Sequence, residues 1–298
     1  MDAEHLQQVR RFNRAVTGRI GVLSDDYLGS GRALGEARLI FEIGRGGADI
    51  RDLRVRLSLD SGYLSRLLRS LEKQGLATSQ RAAGDARVRQ VRLTAKGRKE
   101  WAALDRRSQD VAVSLLTPLG ERQRERLLAA MGEVERLLRA SSVVIEPADP
   151  GSADARLCIE GYFSELQERF EAGFDPTRSI SADPAELVPP AGLLLLARLD
   201  GQPVGCAALK ISGRRFGEIK RMWVAPSARG LGIAQRLLDA LEKHAADAGL
   251  SVLRLDTNRT LGEARALYAR NGYVEIAPYN ANPYADHWYE KRGLRPRK

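Results

Sequence analysis

Apolar residues recur at helical spacing twice in the first third of the chain, as Leu34, Ala37, Ile40 and Phe41 and again as Leu64, Leu67, Leu68 and Leu71, the one-sided pattern of amphipathic helices. The period then changes. Leu76–Arg81 and Val88–Leu93 read as a strand pair joined by residues 82–87, whose Gly84 and Asp85 suit a hairpin tip. A long helix is expected after Thr94 through Trp101 and Val111, and another over Gly120–Arg139, after Thr117 and Pro118. The run SSVVIEPADPGSAD, residues 141–154, has two prolines, a glycine and small polar residues, which is linker composition. Beyond it strands and helices alternate. A helix is expected near Ala155–Ala172, strands at Leu193–Leu199, Pro203–Ile211 and Glu218–Val224, and a helix at Ile233–Ala248. A strand at Val252–Thr257, a helix at Gly262–Asn271 and a last strand near His287–Lys291 complete the pattern. The expected fold class is therefore a two-domain α+β chain: a mostly helical domain over 1–142, a linker over 143–153, and an α/β domain with a mixed central sheet over 154–298. A length of 298 residues suits two domains of ordinary size.

Charge separates the halves. Residues 1–142 hold 27 Lys+Arg against 18 Asp+Glu, and residues 143–298 hold 21 against 20, so the net +10 belongs almost wholly to the first half. Such a surplus points to a polyanionic partner for that half alone. Cys158 and Cys206 belong to no Cys-x-x-Cys pair, so neither a disulfide framework nor a structural zinc is expected. The longest apolar run, Leu193–Leu199, is far short of the roughly 20 residues that span a bilayer. The first residues, MDAEHLQQVRRFNR, lack an apolar signal core. The expectation is a cytoplasmic protein without a membrane partner.

In the basic half, Ile50–Leu57 can form a short helix, Ser58–Asp60 a turn, and Ser61–Gln74 a second helix whose polar side offers Ser61, Tyr63, Ser65, Arg66, Arg69 and Lys73. A helix held in this way fits a major groove. The following hairpin carries Arg81, Arg87, Arg89 and Arg92, a basic tip suited to the adjacent minor groove. The run SLDSGYLSRLLRSLEKQGLATSQRAAGDARVRQVRLTAKG resembles the MarR family of winged helix-turn-helix regulators, with Asp85-Ala86-Arg87 in the wing and Leu93-Thr94-Ala95-Lys96-Gly97 closing it. The resemblance, covering roughly residues 1–140, implies a dimer with interleaved terminal helices, here Glu4–Gly18 and Ala102–Arg139. It also implies a pseudo-palindromic double-stranded operator, and pairing of Asp85 with the wing arginine.

In the second half, MWVAPSARGLGIAQRLLDAL runs from a strand through a glycine-containing loop into a helix beginning near Ile233. Gly230 and Gly232 remove the Cβ atoms that would hold a phosphate off the backbone. Their N–H groups, with the helix dipole, form an anion cradle, and Arg229 adds a charge-assisted donor. The spacing of Arg229, Gly232 and Ala234 is similar to that of the GNAT superfamily of N-acetyltransferases, over about residues 153–292. The resemblance implies acetyl-coenzyme A (acetyl-CoA) as co-substrate, no metal, and an amine acceptor. It assigns the pyrophosphate to Arg229, Gly230, Leu231, Gly232, Ile233 and Ala234, and the pantetheine arm to Met222, Trp223 and Val224. Glu218 becomes a candidate general base, and Tyr268 the acid that protonates the departing thiolate. The chain has Leu261 where many members have Asn, leaving open whether Asn258 makes that contact. His287 reads as structural.

The combined expectation is a DNA-binding transcription regulator fused to an N-acetyltransferase. The alternatives are a regulator whose second half is a non-catalytic acyl-CoA sensor, and an acetyltransferase whose first half only dimerises.

Overall fold

The computed structural model describes residues 2–21, 26–82, 85–180 and 182–294, with only the backbone of 81, 82 and 85–88. The side chains of Arg81, Asp85 and Arg87, expected in the wing, therefore lie outside the described residues. The chain divides into two compact units, one ending at Ala130 and the other beginning at Met131.

The first unit opens with α1 (Ala3–Arg19), where Asp2 caps the helix by accepting from the Glu4 amide at 3.3 Å. Among the described residues this helix buries no side chain; Leu6, Val9, Phe12 and Val16 lie 38–57% exposed. After it come α2 (Leu34–Ile43), β1 (Ala48–Asp49), α3 (Ile50–Arg56) and α4 (Ser61–Lys73). They are followed by β2 (Ala77–Ala82), β3 (Asp85–Leu93), α5 (Ala95–Leu116) and α6 (Glu121–Ser141), within which the division into units falls. The strands form an antiparallel sheet in the order β1, β3, β2, with Ala82 paired to Asp85. The hairpin connection is thus shorter than the expected 82–87 tip. β1 escaped sequence reading because two residues are too few to show alternation.

The core of this unit is the stripe the spacing announced, Leu64, Leu67, Leu68 and Leu71 of α4 against Ala37, Leu39, Ile40 and Ile43 of α2, closed by Leu53, Leu76, Val91 and Leu93. A polar tie runs along its edge. Glu36 accepts from Ser70 Oγ at 2.5 Å and Gln74 Nε2 at 3.1 Å, and Arg32 bridges Glu36 at 3.1 Å and Glu100 of α5 at 2.8 Å. At the start of α5 a Cβ on Gly97 would sit 1.9 Å from the Leu76 carbonyl oxygen, so only glycine lets this helix meet the sheet.

The second unit contains β4 (Val144–Pro147), α7 (Ala153–Arg169), β5 (Gly192–Leu199), β6 (Gln202–Ser212) and β7 (Phe216–Val224). Then follow α8 (Ile233–Asp247), β8 (Val252–Thr257), α9 (Gly262–Arg270), β9 (Val274–Ile276) and β10 (His287–Arg292). The seven strands form one mixed sheet in the order β4, β5, β6, β7, β8, β10, β9, antiparallel throughout except for β7 and β8. β4 falls inside the stretch whose prolines read as linker. Its place at the sheet edge explains the mismatch, because Pro147 can occupy an edge where no ladder donor is needed. The α8 face Leu237, Leu238, Leu241 and Ala245 packs on one side of the sheet and Ala155 and Cys158 of α7 on the other. Cys158 and Cys206, 48 positions apart in sequence, are thiol neighbours beneath α7, and both are buried and free. Among the described residues no helix is long and apolar enough to cross a membrane.

Candidate active site and nucleic-acid surface

β7 is disturbed on both edges. Toward β8 it pairs only at Phe216, Gly217 and Glu218, so from Ile219 onward the two parallel strands separate. Toward β6, Cys206 pairs with Trp223 and Ala208 with Lys220, which leaves Arg221 and Met222 together opposite Ala207. Within this bulge Arg221 takes the left-handed conformation, φ 53°. A bulge bends and twists the strand that holds it, turning the end of β7 away from β8 and opening a cleft between their C-terminal ends.

One side of the cleft is a groove lined by Met222, Trp223, Val224, Arg229, Gly230 and Ala234, with Glu263, Ala266 and Arg270 of α9 opposite. Gly230 at φ 79° and Gly232 at φ 72° are left-handed, and a Cβ on either would meet no atom within 4 Å. Their backbone is therefore open to a ligand. Gly232 is the N-cap of α8 and no side chain caps this end, so the first-turn N–H groups have no partner within the helix. Leu231 and Ile233, whose side chains are only 7% and 2% exposed, anchor the loop in the core. Arg136 donates to the Gly230 carbonyl at 2.6 Å, and Arg236 to those of Ala140 and Val143 at 2.9 and 2.8 Å.

The loop arginine has an internal partner. Arg229 donates through Nε to the Val224 carbonyl at 3.1 Å and through Nη2 to Glu165 of α7. The same Glu165 oxygen accepts from the Trp223 indole at 2.8 Å, and its other oxygen from Arg169 at 3.2 Å. Glu165 was invisible to motif reading because it lies on α7, 64 residues before Arg229.

Beyond the splay lies a second cavity, which shares Tyr162, Leu166, Met222, Leu261 and Ala264 with the groove. Tyr268 is 5% exposed and lines it. Burial pushes the Tyr268 phenol well above its ordinary range, with the Asp256 charge adding to the shift, so the proton is retained. Burial does the same to Tyr162, the phenol common to both spaces.

Glu218 is not part of the cavity lining. It accepts from the Tyr279 hydroxyl at 2.7 Å and pairs with Lys220 at 2.9 Å. Burial opposes the charge on Lys220, but Asp256 at 3.0 Å and Glu218 outweigh it and hold the ammonium above its ordinary value. The carboxylate that does line the cavity is Asp256, which also accepts from Asn280 at 2.9 Å and Asn282 at 2.8 Å. Asn258 lines this cavity rather than the groove, donating to the Tyr284 carbonyl at 2.9 Å and accepting from Thr260. His287 bonds Glu275 at 2.7 Å. Among the described residues no group of three His, Cys, Asp or Glu side chains is placed to hold a metal ion.

In the first unit, Asp49 and Asp60 cap α3 and α4 by accepting from the Arg51 and Tyr63 amides at 2.7 and 2.8 Å. Ser61, Tyr63, Ser65, Arg66, Arg69 and Lys73 of α4 are all exposed, on the face opposite the leucine stripe. Arg66 lies 5.6 Å over the Tyr63 ring, and Arg69 donates to the Ser65 carbonyl at 3.2 Å, so both guanidinium groups are held along the helix. Arg89 and Arg92 of β3 are exposed as well.

Two family models match the chain, the MarR family over residues 30–88 and the acetyltransferase (GNAT) family over residues 159–273. An "IAA acetyltransferase" of Azospirillum brasilense is 43% identical over 91 residues, 30% of this chain and 58% of that protein. The HTH-type transcriptional regulator SarZ of Staphylococcus saprophyticus is 46% identical over 50 residues, 17% of this chain and 34% of that protein. A solved GNAT-family acetyltransferase of Staphylococcus aureus is 21% identical, with 51% of this chain and 100% of that chain covered and a TM-score of 0.45. The chain spans about three fifths of the length of the first curated relatives it matches.

Proposed function

We propose, for a chain that belongs to the MarR family in its first half and to the GNAT family of acetyltransferases in its second, that it binds operator DNA as a dimer and transfers acetyl from acetyl-CoA to an amine. The observation that carries the acetyl-transfer reading is the cradle itself. Left-handed Gly230 and Gly232 lead into a helix that no side chain caps, and the groove Gly230 lines shares Tyr162, Leu166, Met222, Leu261 and Ala264 with the cavity lined by a buried, protonated Tyr268. This geometry fits a pyrophosphate.

Acetyl-CoA supplies an acetyl thioester. The backbone from Arg229 to Ala234 and the Arg229 guanidinium hold its phosphates, and the unpaired edge of β7 at Met222–Val224 receives the pantetheine amides. Tyr268 holds the proton that the leaving sulfur takes. Asp256, the carboxylate in the cavity lining, faces the incoming ammonium, and Glu218 fixes Lys220 beside it. Asn258 shapes the acceptor side. Thiol release equal to the N-acetylated amine formed, and abolished by Gly232→Glu in a chain that still melts cooperatively, is the expected result. A screen across amines without turnover would contradict it, and calorimetric binding of acetyl-CoA in that case would favour the sensor.

The DNA-binding reading rests on the exposed set Ser61, Tyr63, Ser65, Arg66, Arg69 and Lys73 on a capped helix, with the hairpin of Arg81, Asp85, Arg87 and Arg89 beside it. Dimerisation is supported by α1, whose apolar stripe is left exposed by the described residues of one chain. Affinity for duplex DNA should fall steeply with salt, since about five or more phosphate contacts give that slope. Arg66→Ala and Arg87→Ala should each weaken it. Binding that is indifferent to salt and to both changes would leave the first half a dimerisation module.

A further inference from the structure

The second cavity carries information about the acceptor that the family match does not. One wall is aromatic, built by Phe163 and Phe170 of α7, Phe174 shortly after that helix and Tyr284 in the segment before β10. Ring centroids lie 5.6 Å apart for Phe163–Phe174, 5.8 Å for Phe170–Phe174 and Phe170–Tyr284, and 4.9 Å for Phe174–Tyr284. The Phe174 amide donates to Gln167 of α7 at 2.8 Å and the Asp175 amide to the Tyr284 hydroxyl at 2.9 Å, so the wall is held in place before a ligand arrives. Phe163, Phe174 and Tyr284 are only half-buried. Their remaining surface suits a flat apolar body, taken by offset or edge contact.

The acid on the lining has capacity to spare. Asp256 Oδ2 accepts from Lys220 at 3.0 Å and Asn280 at 2.9 Å, whereas among the described residues Oδ1 accepts from Asn282 alone, at 2.8 Å. A carboxylate oxygen has about two acceptor sites, so Oδ1 keeps one, enough for a single ammonium. The two cations on the lining are engaged within the protein. Lys220 spans Asp256 and Glu218, and Arg221 donates to the Ala182 carbonyl at 2.6 Å and lies 5.9 Å over the Phe163 ring. Neither is asked to bind the ligand, and a ligand carboxylate beside Asp256 would meet a like charge.

We infer that the acceptor is a primary arylalkylamine that carries no carboxylate, its ring against Phe163, Phe174 and Tyr284 and its ammonium on Asp256 Oδ1. The assignment rests on the acetyl-transfer reading above and sharpens it. The ammonium gives one proton to Asp256, which passes it to solvent. The nitrogen lone pair then forms the bond to the acetyl carbon, and the carbon–sulfur bond breaks with its electron pair going to sulfur. Tyr268 gives its proton to that sulfur and recovers one from the new amide nitrogen, so each turnover forms one amide and one thiol and releases one proton.

Thiol release and N-acetyl product by mass spectrometry, measured on the full chain with 2-phenylethylamine, n-butylamine, L-phenylalanine and spermidine, test it. Each kcat/KM is expressed per unprotonated amine, so that basicity does not enter the comparison. The expected value for 2-phenylethylamine is about 10- to 100-fold above n-butylamine, the range for burying one ring, and higher than for L-phenylalanine or spermidine. In Phe174→Ala the phenylethylamine-to-butylamine ratio should fall toward one; being a ratio on one preparation, it is unaffected by the fraction folded. Asp256→Asn should lose turnover with every amine while still binding acetyl-CoA in calorimetry. Preference for any of the other three amines, or an unchanged ratio in Phe174→Ala, overturns the substrate class and leaves acetyl transfer standing. Full turnover in Asp256→Asn overturns the proton acceptor. No thiol release with these four amines, nor with any wider set, removes the acetyl-transfer reading as well.

Discussion

Glu165 and Arg229 form one ion pair, yet replacing either partner should move acetyl-CoA affinity in opposite directions. In the free protein the Arg229 guanidinium is bound to Glu165, and a phosphate entering the groove must share or displace that partner. The Arg229 side chain is 45% exposed and Glu165 17%, so solvent screens the pair. Its worth is set at about 0.2–1 kcal/mol, the range for such pairs. Glu165→Gln removes that competition and a negative charge beside the phosphates, and should tighten acetyl-CoA about 1.5- to 5-fold, the equivalent of that energy. Arg229→Met instead removes a charge-assisted hydrogen bond to phosphate, about 1.5–3 kcal/mol, and should weaken binding about 10- to 150-fold. Calorimetric titration of both variants at two salt concentrations decides the matter, with the Glu165→Gln gain shrinking at high salt. Equal weakening in both would mean that Glu165 orients Arg229 and Trp223 for the ligand rather than competing with it.

Other consequences can be measured separately. Gly97→Ala places a Cβ against the Leu76 carbonyl and should cost the first unit about 1–3 kcal/mol or more, seen as a lower midpoint for that transition in denaturant. Glu36 is penalised by burial, but hydrogen bonds from Ser70, Gln74 and Arg32 more than offset this and hold its pKa below 4.5. A depressed carboxylate gives stability that is present above the unfolded pKa and lost as pH falls through the folded one. The first unit should therefore weaken below about pH 4.5, and Glu36→Gln should flatten that part of the pH profile. Tyr268→Phe should lower kcat about 10²- to 10⁴-fold with acetyl-CoA affinity intact, whereas a larger loss in Tyr162→Phe would move the acid to the phenol shared by groove and cavity.

What the sequence showed clearly was whatever depends on neighbours along the chain. The α4 leucine stripe, the turn at Ser58–Asp60 before it, the strand pair and the Gly230–Gly232 entry into α8 are all local patterns, and each has its counterpart in the structure. What it hid depends on packing across the sheet. Asp256 and Lys220 meet across the opening where β7 and β8 part after Glu218, Arg221 enters the cavity through a one-residue bulge, and Glu165 reaches Arg229 from α7. None of these has a spacing in sequence. β4 was masked by the prolines that its edge position tolerates, and the nearness of Cys158 to Cys206 by the 48 positions between them. Glu218 shows the limit of motif transfer, because the residue is where the strand pattern put it while its bonds go to Tyr279 and Lys220.

The central claim is that the Gly230–Gly232 cradle holds acetyl-CoA for transfer across the splay. Its most direct measurement is a single-turnover reaction of the full chain with labelled acetyl-CoA and an excess of a mixed amine set. The account predicts one label on the amine for each thiol released, in the unchanged chain but not in Gly232→Glu. Label that stays on coenzyme A, or equal transfer by both chains, would contradict it.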